Sequence, residues 1–599
     1  MNIRIWLDRL YDSGLNSRKI FMLILLPLAA TISEIFGIGL FLPIFQFIRL
    51  DGDLNALVAD SNLWSYVIDG FNFINIKPSL AMLLLISFGL FIGRQILNYI
   101  RLVYTTIVTQ YLIRVQRNRT FDFYLQSNTA YHDRTPVGNL VNIIVQEVNG
   151  AVSGLMGPLE LITYIIMLIG YLAVLSVLSL KMTLLALAAL IVSSLIPKAW
   201  VNRSKIVGRK VVVANTAMSR FLVVRLKSPR LVRLSNSEIA EKKEFYNLTL
   251  SQCKNTISGS ILRSKTDSVI EPVIIGLSLV FLYFAYSVLH MKIEVIGLYL
   301  VVLMRLMPVT KSILMKVQSI KSSVGSIEVL EDRIHDMKKS TEKDNGTEIL
   351  GKIKKPILFN NVSYCYQDEK VDVLKNITLS ITNHKMTAIV GPSGSGKSTL
   401  IDLLPRLRNP NNGSISINGK NIERYKLKSL RQSISYTPQS PQIFDGTVKD
   451  HILYGKANAT ADEINKAIDL SGSNEFVYKL PKGIDTILGE DATKLSGGQR
   501  QRLDLARSLV GDGDFLILDE PTSNLDAESE SLFNKVLRKI RRETDTTIVI
   551  VAHRLTSIAK ADQIVVLNNG TVESIGTHAE LLSQNGWYSK AWKTQNSFL

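Results

Sequence analysis

The segment Gly391-Pro392-Ser393-Gly394-Ser395-Gly396-Lys397-Ser398-Thr399 sets glycines, a lysine and two hydroxyls at the spacing G-x-x-x-x-G-K-[ST]. Glycines there let backbone N–H groups turn inward around phosphate oxygens. Lys397 is spaced to reach the β- and γ-phosphates of a nucleotide, and Ser398 to ligate Mg²⁺. A second acidic candidate lies downstream, where the apolar run Phe515-Leu516-Ile517-Leu518 ends in Asp519-Glu520. Asp519 is placed to hold Mg²⁺ directly or through water, and Glu520 to polarise an attacking water as general base or orienting group. An apolar run ending in Asp-Glu is weak by itself. Downstream of a phosphate loop it becomes strong.

Further pieces fall in order around these two. Tyr366 ends the run Val362-Ser363-Tyr364-Cys365-Tyr366 and could stack on an adenine. Gln439 closes Tyr436-Thr437-Pro438-Gln439. The run Leu495-Ser496-Gly497-Gly498-Gln499-Arg500 precedes the acidic pair, Asp526 follows it in Ser523-Asn524-Leu525-Asp526, and His553 follows Thr547–Ala552. Singly each has a bland reading: a strand aromatic, a turn residue, a satisfied histidine at a strand end. The elements that must position them read as alternating strands and helices. Met386–Val390 is a buried strand, Ser398–Leu404 opens a helix, and Thr547–Ala552 is another strand.

The other half of the chain is different in kind. The 599 residues carry 69 Lys+Arg against 51 Asp+Glu, a net charge of +18, with 47% hydrophobic residues. This composition excludes a disordered chain, a collagen-like repeat and a disulfide scaffold, the two cysteines being too few for a framework. No stacking-plus-basic motif accompanies the charge, so it is read as the Lys/Arg excess of cytoplasmic loops, with no nucleic acid as partner. The apolar residues concentrate in the first 320. Six stretches reach the ~20 residues needed to span a bilayer. They run roughly over Ile20–Ile48, Leu80–Val108, Val152–Leu178, Met182–Trp200, Val269–Leu289 and Val295–Met315.

The first run contains Glu34 and lacks a small-residue cleavage site, so it is not read as a signal peptide. Arg4, Arg9, Arg18 and Lys19 put the N-terminus in the cytoplasm, as do the long basic segments between spans two and three and between spans four and five. The stretch from Asp53 to Phe73 reads equally as an amphipathic helix on the outer membrane surface or as an ordered loop. Charges inside spans are expensive and therefore candidates for function. Arg94 and Arg101 share a face of span two, and Arg305 precedes Met307-Pro308 in span six. Glu34, Glu160 and Glu271 are the acidic counterparts. Pairing or snorkelling is the structural alternative. A cationic patch lining a cavity would suit a phosphate or pyrophosphate head group.

From about Ile357 to the C-terminus the chain resembles the nucleotide-binding domain of ATP-binding cassette (ABC) transporters, with Leu495–Gln499 as the family's signature. The resemblance implies Tyr366 as the adenine-stacking aromatic, Gly391–Thr399 as the Walker A loop, and Gln439 as the Q-loop residue and a further Mg²⁺ ligand. It implies Asp519 as the Walker B ligand, Glu520 as the catalytic carboxylate, Asp526 in the D-loop and His553 as the switch histidine. Gly489-Glu490 resembles the X-loop of exporters. Two departures stand out, Asn524 in the D-loop and Ala492 where a glycine is common. The expected fold is an all-α six-helix transmembrane domain of the exporter type (1–335), a linker (336–356) and an α/β P-loop NTPase cassette (357–599).

Such a half-transporter binds ATP between the loop of one copy and the signature of another. The intact motifs therefore imply a homodimer with ATP and Mg²⁺ as cofactors, in the bacterial inner membrane. Tyr131–Gly138 and the segment near Lys227–Ser237 are the expected coupling helices. Only about 19 residues precede the first span, which disfavours a leader-cleaving peptide exporter. Ser33–Pro43 and Leu303–Pro308 resemble the subgroup that flips lipid-linked oligosaccharides or exports polysaccharide-related glycolipids, with Arg94, Arg101 and Arg305 toward the anionic head. The alternatives are a multidrug or lipid A-type exporter, or an ATP-gated membrane regulator that does not pump.

Overall fold

The computed structural model describes residues 3–61, 63–73, 75, 77–288, 293–366, 371–523 and 525–596. Asn524 lies outside them. The chain forms two compact units: Met1–Ser127 with Tyr131–Thr341, and Asn128–Ala130 with Glu342–Leu599.

The first unit is all helix. Among the described residues six helical stretches are long and apolar enough to cross a membrane: Ser17–Arg49, Leu80–Gln126, Val137–Leu178, Leu180–Leu226, Glu238–Ser287 and Val295–Lys339. A helix of 47 residues is ~70 Å long, so more than half of Leu80–Gln126 projects beyond a ~30 Å hydrocarbon core. Spans three and four are joined by a very short turn, one helix ending at Leu178 and the next starting at Leu180.

The first span is not continuous. It breaks into Ser17–Gly39 and Phe41–Arg49. Pro43 explains the break, because its ring would meet the carbonyl of residue i−4, which is Gly39. In span three Pro158 interrupts the ladder, and the indole of buried Trp6 donates to the nearby Leu155 carbonyl at 2.9 Å. Spans three and six pack closely through small residues. A Cβ on Gly150, Gly154 or Gly157 would lie 2.4–2.7 Å from Ser326, Ser323 or Ile320. Span four approaches span six in the same way, a Cβ on Gly208 lying 2.0 Å from the Ser322 carbonyl oxygen.

The stretch after the first span forms two helices, Leu54–Asp60 and Leu63–Phe73. Asp53 caps the first by accepting from the Asn55 N–H at 3.0 Å. Leu57, Trp64 and Phe71 are buried against Ile44 and Leu83, and the Trp64 indole donates to Gln46 Oε1 at 3.0 Å. The stretch is helical rather than a plain loop, and Leu57, Trp64 and Phe71 are turned onto spans one and two. Both expected coupling segments are helical, at Thr129–Arg134 and Pro229–Leu234.

Among the described residues the second unit carries ten strands: β1 (Ile357–Tyr364), β2 (Leu374–Ile381), β3 (Met386–Val390), β4 (Asn412–Ile417), β5 (Lys420–Asn421), β6 (Ile434–Thr437), β7 (Phe515–Asp519), β8 (Thr547–Val551), β9 (Gln563–Asn568) and β10 (Thr571–Gly576). One sheet is antiparallel, in the order β2-β1-β4-β5. The other runs β10-β9-β3-β8-β7-β6, parallel from β9 to β6 with β10 antiparallel at the edge. Strands β3, β7 and β8 are buried throughout, as apolar runs covered on both faces must be. Ile389, Ile517, Val549 and Val565 pack toward the antiparallel sheet, whereas Ala388, Leu516, Ile548 and Val566 pack against helices. Leu350 and Ile353, in the segment read as linker, are buried in the first of these cores. The helix after the phosphate loop spans Lys397–Asp402, two residues shorter than expected at its C-terminus. Pro405 disfavours helical backbone at the preceding residue and stops it.

Candidate functional site

The phosphate loop follows β3, Gln439 lies two residues after β6, Asp519 ends β7, and His553 lies two residues after β8. All are at the C-terminal edge of the parallel sheet, where open α/β sheets place ligands. Gly391 has φ +153°, and a Cβ there would meet the Leu567 carbonyl oxygen at 1.9 Å. Gly396 has φ +97°, with Leu374 2.8 Å from a Cβ. The loop cannot take this path with larger residues at either position.

Lys397 is buried and donates to the carbonyls of Gly391 (3.1 Å) and Pro392 (2.9 Å). Burial pulls its ammonium below the usual lysine value, against the charges of Glu520 and Asp519. Asp519 is also buried, and burial, with the Glu520 and Asp402 charges, pushes its carboxyl up to about 6. Tyr436, whose hydroxyl reaches Asp519 Oδ2 at 3.5 Å, is pushed up by burial and by that carboxylate. Among the described residues Asp519 Oδ1 is buried without a hydrogen-bond partner. An orphaned, proton-avid carboxylate oxygen beside the phosphate loop fits a hard divalent cation. Among the described residues there is no cluster of three His, Cys, Asp or Glu. Such a cation would therefore be held largely by a hydroxyl, water and nucleotide phosphates, as Mg²⁺ prefers.

Glu520 gathers two of the expected residues. Gln439 Nε2 donates to its Oε2 at 2.7 Å, and His553 Nε2 lies 2.6 Å from its Oε1. Its φ of +44° is left-handed, strain of the kind retained at functional sites. Gln439, assigned to the metal as well, is engaged with Glu520 in this structure.

The Tyr366 hydroxyl shares a hydrogen bond with Thr399 Oγ1 at 3.0 Å, and the Arg408 guanidinium lies 4.7 Å from the Tyr366 ring centre. One ring face is thus covered by a cation that none of the motifs announces. Within the phosphate loop, the Ser395 hydroxyl is buried and unpartnered among the described residues.

The signature run is a capping box. Ser496 Oγ accepts from the Gln499 N–H at 3.2 Å, Gln499 Oε1 accepts from the Ser496 N–H at 2.9 Å, and the helix Gly497–Leu509 follows. The S-x-x-Q spacing itself carried that signal. Gly498 is needed because a Cβ would meet Ser529 Oγ at 2.7 Å. Among the described residues none of Ser496–Gln499 hydrogen-bonds the phosphate loop. Asp526 caps the helix Ala527–Glu543, accepting from the Ser529 N–H at 2.8 Å, a bond that lowers its pKa. Ala492 has φ +46°, the reason a glycine suits that position.

The intramembrane charges are organised by a residue not assigned to the site. Glu34 is 1% exposed, its Oε2 is 2.9 Å from Arg94 Nε, and its Oε1 is 3.9 Å from Arg305 Nη1. Arg101 Nε donates to Asn98 Oδ1 at 2.9 Å. Glu34, Arg94, Asn98, Arg101, Tyr171 and Arg305 line a cavity of about 200 Å³. Glu160 pairs instead with Lys316 at 2.5 Å, and Asp267 with Lys311 at 2.6 Å.

A phosphate loop, an acidic strand end and a capped signature helix on one α/β unit, joined to six membrane-length helices, define an ATPase carried by a multi-pass membrane protein. The model of the ABC transporter family matches residues 374–523, and that of the ABC transporter transmembrane region matches residues 20–310. An ATP-dependent lipid A-core flippase of Haemophilus influenzae is 31% identical over 547 residues, 88% of this chain and 90% of the flippase. The heterocyst differentiation ATP-binding protein HepA of a Nostoc species is 29% identical over 518 residues, 86% of this chain and 83% of HepA. The solved structure of a bacterial Atm1-family ABC exporter with ATP bound has the same fold, with TM-score 0.80 over 96% of this chain and 98% of that one, at 21% identity. The chain belongs to the ABC transporter family. It is an exporter-type half-transporter whose cassette binds and hydrolyses ATP to drive transport.

Proposed function

We propose that two copies of this chain flip an anionic lipid, of the pyrophosphate-linked oligosaccharide type, across a bacterial inner membrane with the N-terminus and cassette in the cytoplasm. The observation that carries the substrate class is the cavity among spans one, two, three and six, which three arginines share with one buried glutamate. Formal charges leave it cationic by two, and a phosphate-bearing head group supplies the missing anions. A relative named as a lipid A-core flippase supports a lipid as cargo.

In the proposed cycle each ATP sits between the phosphate loop of one copy and Ser496–Gln499 of the other. This is supported by the signature's lack of bonds to its own loop among the described residues. Ser398 and Asp519 would hold Mg²⁺, Lys397 would leave the loop carbonyls for the phosphates, and Glu520 would orient the attacking water. Gln439 and His553, both on Glu520, would report the γ-phosphate. ATP drives the spans outward only through its greater affinity for the closed pair.

The test is flipping in proteoliposomes of glycosyl-pyrophosphate lipid, with lipid A-type lipids and drugs as comparators. Arg305→Ala should weaken flipping of the pyrophosphate lipid while basal ATPase survives. Unchanged flipping in that variant, or better transport of an uncharged drug, would discard the head-group reading. ATP-dependent flipping of any lipid excludes a regulator that gates without pumping.

A further inference from the structure

His553 is held from behind as well as in front. The helix Trp587–Asn596 packs on the cassette core through buried Tyr588, whose hydroxyl is 2.8 Å from His578 Nδ1, and through Trp592, whose ring is 4.4 Å from the His578 ring. Near its end, Gln595 engages the loop after β8 through both the nitrogen and the oxygen of its amide. Its Nε2 donates to the His553 carbonyl at 2.8 Å, and its Oε1 accepts from the Leu555 N–H at 3.0 Å. An N–H can only meet the amide oxygen and a carbonyl only the amide nitrogen, so the two partners fix the orientation without ambiguity. Between them, Arg554 forms an ion pair with Glu530, on the helix that Asp526 caps.

We infer that Gln595 is a positioning residue for ATP hydrolysis. It clamps the backbone on both sides of Arg554 and so fixes the imidazole of His553 2.6 Å from Glu520. The inference rests on the proposed role of His553. The clamp acts on placement rather than on nucleotide affinity, because among the described residues Gln595 has no hydrogen bond to the phosphate loop or Tyr366. A displacement of even part of an ångström at a catalytic group is costly in rate.

The test uses the full chain in proteoliposomes, with Gln595→Ala and the isosteric Gln595→Met, which keeps the volume and deletes both bonds. Steady-state ATPase should show kcat about tenfold lower in both variants, with KM for ATP within about twofold of the parent. The Leu555 amide should exchange with deuterium faster in both, while the melting temperature holds. His553→Ala is run alongside. If it loses activity while both Gln595 variants keep kcat, the clamp is refuted. If only Gln595→Ala is impaired, the side chain is packing, and the clamp is equally refuted. A raised KM with normal kcat would place Gln595 in nucleotide binding, against the inference. If His553→Ala is as active as the parent, the reading of His553 itself fails.

Discussion

Replacing Glu34 by Gln strands Arg94 in a site built for a carboxylate. The carboxylate is 1% exposed and lies 2.9 Å from Arg94 Nε. At an effective dielectric of ~20 the Coulomb attraction at that separation is about 6 kcal/mol, and desolvation offsets part of it. Removing one partner of such a pair costs about 3–5 kcal/mol, because the other charge stays buried. Removing both, in Glu34→Gln with Arg94→Met, leaves the cavity cationic by two as before, through Arg101 and the 45% exposed Arg305. The double variant should therefore be nearly as stable as the parent, although the two single losses added together would come to about 6–10 kcal/mol. For a unit of this size, a loss of about 4 kcal/mol corresponds to a melting shift of roughly 6 °C. Thermal melting of the detergent-purified chain should show both single variants several degrees low and the double variant close to the parent. Additive losses would refute the pairing. The same pair sorts the arginines by role: the double variant should still flip lipid, because Arg305 and Arg101 remain. A stable double variant that cannot flip would show that Arg94 meets the cargo directly.

Three other predictions concern the cassette. Glu520→Gln should keep ATP binding and lose turnover by about 10²-fold or more, read as phosphate release against equilibrium nucleotide binding; near-normal turnover would remove Glu520 from the chemistry. Asp519 has its carboxyl raised from 3.8 to about 6, so the folded chain holds that proton more tightly than the unfolded one. Ionised Asp519 therefore costs stability, and its contribution is full below about pH 4 and lost as pH rises through about 6, by about 3 kcal/mol at most. Asp519→Asn should accordingly slow amide exchange in β7 near neutral pH without nucleotide, remove Mg²⁺-dependent ATPase, and flatten the pH dependence of that exchange between about pH 4 and 6. Faster exchange near neutral pH would contradict the assignment. Ala492→Gly relieves a φ of +46° and should raise the melting temperature by an amount worth up to ~1 kcal/mol, whereas a lower melting temperature would show that the turn is not strained.

The cassette was legible because its chemistry is local. The phosphate loop needs only its own glycines and the strand and helix beside it, and Phe515–Glu520 announces itself by a change from apolar to acidic over one residue. Boundaries that depend on a proline ring were legible too in principle: Pro43 breaks the first span at Gly39, and Pro405 stops the helix after the loop. The capping box at Ser496 was written in the S-x-x-Q spacing. What the sequence could not place is pairing across elements. Glu34 meets Arg94 from a different span, Arg408 covers Tyr366 from a loop beyond the phosphate-loop helix, and Gln595 reaches His553 from a helix 42 positions away. In each case a long side chain finds its partner only once the helices and sheet have packed. The stretch from Asp53 to Phe73 shows the same limit. Its sequence read equally as amphipathic helix or ordered loop, and packing against Ile44 and Leu83 decided where its apolar side chains turn.

The central claim is that each ATP is shared between two copies, and complementation tests it most directly. Lys397→Ala and Gly498→Asp, each made alone, should abolish ATPase as homodimers, one through the phosphate loop and one through the signature. Co-assembled, the mixed dimer carries one site with an intact loop from one copy and an intact signature from the other. Purified mixed dimers should recover about half the parental rate if the two sites work independently. Mixed dimers as inactive as either parent variant would contradict the account.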